Sequence, residues 1–202
     1  PSAIEVSFDS GDTWEAAPTP GDSASQILQL DADDPELTRM VSLDAKNCEP
    51  QAFRSFVGGT TWEPADLADA PWYVSPADRQ TVQTPAGPIA LPCTAIELSA
   101  SDERAIVLCD DSTVTVSSDA GSTWSKPLTV PHAVAVGLAP SQFIFATKES
   151  PDCPAVQLGI FSEAGVGQVS SCLDVPAVPG QVAIAATDDL VVAWVGDGIS
   201  RS

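Results

Sequence analysis

The side chains able to do chemistry are few in kind. Cysteine occurs at positions 48, 93, 109, 153 and 172, histidine only as His132 and tyrosine only as Tyr73. Zinc would need thiolates or imidazoles at short spacing, and no C-x-x-C pair accompanies the single histidine. A Ser-His-Asp triad would have to use His132, which lies in VPHAV at a strand entry, and no G-x-S-x-G elbow occurs. Paired carboxylates are frequent, at Asp33–Asp34, Asp110–Asp111 and Asp188–Asp189. Two carboxylates flanking a glycosidic bond are the machinery of sugar hydrolysis. These pairs fall in turn segments, however, where Asp accepts nearby backbone N–H groups. The acidic stretch Asp31–Glu36 lacks the D-x-D-x-D-G series with a later Glu that makes a calcium loop. The sequence therefore predicts no catalytic residue, no cofactor and no resident metal. A structural cation, if one binds, belongs on that acidic stretch or on a turn aspartate.

Spacing makes the cysteines cross-links instead. Between Cys93 and Cys109 two apolar runs flank a polar turn at Ser101–Glu103. A register centred on Ser101 pairs Leu98 with Arg104, Ile96 with Ile106, and Cys93 with Cys109. Cys153 and Cys172 flank a second hairpin turning at Ser162–Gly165, about one residue out of register, which a bulge absorbs. Cys48 is left over. Two bridges imply an oxidising compartment, hence a protein secreted or held at the cell surface. The sequence opens at Pro1 without a leader, which reads as a mature or trimmed chain with a signal or lipid anchor expected upstream.

Charge narrows the partners. Acidic residues number 28 against 8 basic ones, giving a net charge of −20. Phosphate binding needs clustered Lys and Arg, so nucleic acid is excluded, as is direct docking on an anionic membrane. The apolar stretch Val178–Ala186 is broken by Pro179, Gly180 and Gln181 and is too short to span a bilayer. Hydrophobic content of 44% with five Trp argues for a folded core.

One pattern recurs. Ser7-Phe-Asp9-Ser-Gly11-Asp-Thr13-Trp14 returns as Ser117-Ser-Asp119-Ala-Gly121-Ser-Thr123-Trp124. A decayed copy, Ser55-Phe-Val57-Gly-Gly59-Thr-Thr61-Trp62, has Val in place of Asp, and Glu163–Gln168 is a further eroded site. The string S-x-D-x-G-x-T-W resembles the Asp-box, or BNR repeat, of sialidases, sortilin-type receptors and the photosystem II assembly-factor family. The resemblance implies a structural role: Gly supplies the positive φ of a tight turn, Asp accepts backbone N–H groups, and Trp packs largely buried between sheets. Sialidases hold their substrate with three arginines and use a Tyr–Glu pair and an Asp acid. The arginines here (Arg39, Arg54, Arg79, Arg104, Arg201) make no such set, and Phe53-Arg54-Ser55-Phe56 is only a faint relic of the motif preceding sialidase boxes. The assembly-factor family is non-enzymatic and works through a basic patch that this acidic chain lacks.

The elements that must position these residues are strands. Trp14 and Trp62 are 48 residues apart, Trp62 and Trp124 are 62 apart, and Trp124 and Gln168 are 44 apart. Periods of this length with four short strands each mark a β-propeller. The last 34 residues and the first 14 complete one more period. The expectation is an all-β propeller of four-stranded antiparallel blades, occupying residues 1–202 as one domain. Four blades are expected, at 22–68, 92–130, 131–176, and 177–202 completed by 1–20. The alternative is an excerpt of a larger propeller. Residues 69–91 read as a long connection with an extra hairpin. The functional expectation is a non-catalytic exported propeller that binds or assembles an extracellular protein or glycan. The alternative is a glycoside hydrolase-like enzyme using surface carboxylates.

Overall fold

A computed structural model describes residues 4–9, 11–20, 24–34, 36–150, 153–162, 165–173, 175, 180–187, 190–196 and 198–201. Its described elements are strands apart from a short 3-10 turn at Leu67–Asp69, and six antiparallel sheets follow one another along the chain. A two-stranded hairpin, β1 (Ile4–Val6) and β2 (Glu15–Ala17), comes first. A four-stranded meander follows: β3 (Ala24–Asp34), β4 (Leu37–Asp44), β5 (Pro50–Ser55) and β6 (Glu63–Ala65). The three-stranded sheet of β7 (Tyr73–Val74), β8 (Thr81–Thr84) and β9 (Gly87–Ala90) comes next. Two four-stranded sheets come after it. One is β10 (Ala95–Ser101), β11 (Arg104–Cys109), β12 (Thr113–Ser117) and β13 (Leu128–Thr129). The other is β14 (Ala133–Leu138), β15 (Phe143–Ser150), β16 (Cys153–Ser162) and β17 (Gly165–Leu173). The last sheet is β18 (Val182–Ala186), β19 (Val191–Val195) and β20 (Gly198–Arg201).

The fold is an all-β antiparallel propeller with five blades of three or four strands, where four were expected. Two features explain the difference. The stretch read as a connection with an extra hairpin forms its own sheet: Thr81–Thr84 and Gly87–Ala90 make the hairpin around Pro85-Ala86, and Tyr73–Val74 pairs with it as a third strand. The C-terminal strands complete a meander through β20, whose four residues pair with β19 from Val192↔Arg201 to Val195↔Gly198. Among the described residues β18–β20 form one sheet and β1–β2 another.

The chain divides into two compact units, Pro1–Ser75 with Val82–Ile89, and Pro76–Thr81 with Ala90–Ser202. In the first, Ile4 of the N-terminal hairpin is buried with Met40 and Phe53 of the next sheet, and Val6, Ala17, Ile27 and Trp62 pack around them. In the second, sheets bury both faces. Ile106 and Leu108 of β11 join Val114, Val136, Phe143 and Phe145 in one cluster, while Ala135, Ala146 and Val156 meet Val182, Ala193 and Val195 in another. Burial on both sides explains why RAIVLC reads as a continuous apolar run instead of an alternating one. Close approach needs glycine: a Cβ at Gly137 would lie 2.5 Å from Ile184, and one at Gly159 would enter the Phe145 ring.

Both expected disulfides are present, with Cα separations of 5.8 Å for Cys93–Cys109 and 5.7 Å for Cys153–Cys172. The register between β10 and β11 differs from the expectation. Asp102 adopts φ 49° in a two-residue turn, so Ser101 pairs with Arg104 and Leu98 with Val107. A bulge between Ala95 and Glu97 shifts the register by one and sets Cys109 opposite Ala95, so Cys93 bridges to it from two residues before the strand begins. Between β16 and β17, bulges around Gly159 set Cys172 opposite Gln157, and Cys153 bridges to it from the start of β16.

Candidate interaction surface

The boxes are turns held by their own side chains. In the first, the Asp9 carboxylate accepts from the Thr13 backbone N–H at 2.8 Å, from Thr13 Oγ1 at 2.7 Å and from Ser7 Oγ at 2.8 Å. Gly11 N donates to Ser7 Oγ at 2.6 Å, with Gly11 at φ 84°. In the copy at 117–124, Asp119 accepts from Thr123 N at 2.9 Å and Thr123 Oγ1 at 2.6 Å, and Gly121 N donates to Ser117 Oγ at 2.9 Å. The Thr13 N–H and the other donors hold the Asp9 carboxyl down at about 2, and donation led by the Thr123 hydroxyl lowers that of Asp119. The decayed copy keeps the Ser55 contact, with Gly59 N donating at 2.9 Å. In place of the lost carboxylate, the Val57 carbonyl accepts from Thr60 Oγ1 at 2.8 Å.

The box tryptophans are less buried than expected. Trp14 is 37% exposed, and Trp62 and Trp124 are half-buried. The indole N–H groups explain part of this by reaching outward to loop carbonyls, Trp14 to Gly11 at 3.1 Å and Trp62 to Pro18 at 2.9 Å.

What the two turns of the first unit present is apolar. Phe8 is 71% exposed, Phe56 55% and Val57 52%. The Phe8 ring lies against Gly58, where a Cβ would be 3.0 Å from Phe8 Cε1, so Phe8 adjoins the Phe56-Val57 segment. Arg54 sits with its guanidinium carbon 5.3 Å from the Phe56 ring centroid and 3.7 Å (Nε to Oε2) from Glu63. Phe8 and Phe56 both occupy the second box position, which in the remaining copy is the exposed Ser118. The signal was legible: a position that tolerates Ser carries Phe twice.

The other candidate residues are not brought together. Asp110 and Asp111 occupy the turn between β11 and β12, where Asp111 Oδ1 accepts from Thr113 N at 3.0 Å and Thr113 Oγ1 at 2.6 Å. Asp31 is ion-paired with Arg39 at 2.8 Å. Asp188 and Asp189 lie outside the described residues, as do Glu163 and Ala164 of the eroded box. His132 is exposed in a turn at φ 61°. Arg79 and Arg104 donate to carbonyls, Arg79 Nε to Ala95 at 2.6 Å and Arg104 Nη1 to Ala139 at 2.8 Å. Among the described residues, no three of His, Cys, Asp and Glu are grouped to hold a metal ion. Cys48 is an exposed free thiol at φ 58°. Sequence reasoning missed Glu97. This half-buried acid of β10 accepts from Val136 N on β14 at 3.3 Å, and burial pushes its carboxyl up to about 8.

No protein-family model matches the sequence, and no curated protein matches it either. Solved structures do show similarity. YCF48 bound to D1 peptide is 17% identical, with a TM-score of 0.48 over 100% of this chain and 66% of that one. YCF48 from Cyanidioschyzon merolae is 16% identical, with a TM-score of 0.45 over 91% of this chain and 84% of that one. BBS1N in complex with ARL6DN is 11% identical, with a TM-score of 0.49 over 99% and 82%.

Proposed function

We propose that the chain is a non-catalytic binding propeller of an oxidising, extracellular setting, and that its partner is a protein. The observation that supports this reading is the apolar cluster of Phe8, Phe56 and Val57 left in solvent on two adjacent turns. Contiguous exposed apolar groups mark interaction surfaces, whereas isolated ones do not. Two disulfides suit an oxidising compartment, and no described helix is long and apolar enough to cross a membrane. The test is cross-linking on intact cells of the source organism, comparing the wild type with the double substitution Phe8→Ser, Phe56→Ser. One partner protein should be recovered by the wild type and lost with the variant. Turnover on a panel of glycoside substrates, or glycan-array binding indifferent to the two substitutions, would overturn the reading.

A further inference from the structure

We propose that the Phe8–Phe56–Val57 surface docks a protein segment carrying lysine or arginine beside an apolar side chain. The proposal rests on the binding reading above and adds the chemistry of the partner. The apolar part follows from exposure: the three side chains are more than half in solvent, and the turn does not need a phenylalanine at the position of Phe8 and Phe56, since Ser118 fills it in the other copy, while Val57 stands where the other copies have Asp. The charged part follows from the surroundings. Glu5, Asp9, Asp12 and Glu15 are exposed on the Phe8 hairpin, and Glu63 is exposed just after the second turn.

Among the described residues, the cations nearby are Arg54, paired with Glu63 at 3.7 Å, and Arg39 opposite it on β4, paired with Asp31 at 2.8 Å, which leaves Glu5, Asp9, Asp12 and Glu15 to set the charge beside Phe8. Asp9 stays ionised throughout the physiological range because its carboxylate accepts from Thr13 and Ser7. A basic segment would therefore be steered toward the patch, and its apolar side chain would find the phenylalanine rings. A second copy of this chain fits poorly, because it brings the same acidic rim and a net charge of −20.

Fluorescence anisotropy with three labelled synthetic peptides tests this. The first alternates lysine with leucine and phenylalanine; the second replaces lysine by glutamate; the third replaces the apolar residues by serine. The first should bind, and the other two should bind at least about tenfold more weakly, with hot-spot loss expected for Phe8→Ser, Phe56→Ser. Binding should also weaken between about 0.05 and 0.5 M salt, as screening requires. If the glutamate peptide binds as well as the lysine one and still depends on Phe8 and Phe56, the basic partner is overturned while the surface stands. If no peptide distinguishes wild type from variant, the surface itself is overturned. Equal binding of the serine peptide reduces the effect to unspecific charge and also overturns the proposal. The substituted side chains are exposed, so an unchanged melting curve serves as the folding control.

Discussion

Replacing Glu97 by Gln should remove a pH dependence built into the second unit. In the folded chain this carboxyl titrates at about 8 against an ordinary 4.5, so the fold holds its proton more tightly than the unfolded chain does. Such a group favours folding fully below pH 4.5, and that contribution is lost as pH rises toward 8. The full shift would correspond to at most roughly 5 kcal/mol at about 1.4 kcal/mol per unit. Glu97 is only half-buried, so solvent screening should leave about 2 kcal/mol of this. Gln keeps a carbonyl oxygen for the Val136 N–H, so the link between β10 and β14 survives. The assay is urea unfolding of wild type and variant at pH 5 and pH 8.5. The general repulsion of a chain at −20 also grows with pH, but it is common to both proteins and cancels in the difference. Stability of the variant should fall about 2 kcal/mol less over this range. Parallel pH profiles would show that Glu97 ionises freely, and the argument from its burial would be wrong.

Other perturbations follow from the packing. Gly159→Ala drives a Cβ into the Phe145 ring and should cost about 1–3 kcal/mol in chemical denaturation. Reducing either disulfide should lower stability by on the order of 3 kcal/mol, read as a drop in melting temperature with dithiothreitol. Carbon-detected NMR titration should place the Asp9 carboxyl midpoint near 2, and Thr13→Val should move it toward 3.8. Asp119→Ala should lower the melting temperature, because it strips the acceptor from Thr123 N and Oγ1; an unchanged melt would refute that role.

Periodicity located most strands, because each blade is a local meander, several of whose turns carry Asp, Gly or Ser at positive φ. It misjudged the blade count for a physical reason. The sheet at 73–90 has strands of only two to four residues, too short for alternation to stand out. β20 is equally short, and counting residues between tryptophans then suggested that the termini complete each other. Cysteine spacing was sufficient for both bridges, yet not for the register, since the turns and bulges set Cys109 opposite Ala95 and Cys172 opposite Gln157, with the partner cysteines bridging from residues further along. The box motif gave the turn geometry in detail. It misled about how deeply the tryptophans are buried: the Trp14 and Trp62 indole N–H groups reach loop carbonyls, although Trp62 still packs against the core and the Trp124 indole nitrogen is buried. Phe8 and Phe56 escaped notice as functional candidates because motif reading attends to the fixed positions, and they sit at a variable one. Glu97 was hidden inside an apolar strand of otherwise ordinary pattern.

The two disulfides also decide how the chain would yield to mechanical force. Each joins residues 16 or 19 positions apart whose Cα atoms lie under 6 Å from one another. A chain pulled from its ends can lengthen only along segments not enclosed by a covalent loop. At about 3.5 Å per extended residue, the first bridge withholds roughly 50 Å of contour and the second roughly 60 Å. Both loops lie in the second unit, and between them they enclose the β10–β11 turn and the β16–β17 turn. Under tension, that unit would stop short of full extension while its hairpins stayed tethered. The first unit has no such stop among its described residues, so stretching would lengthen it without covalent limit.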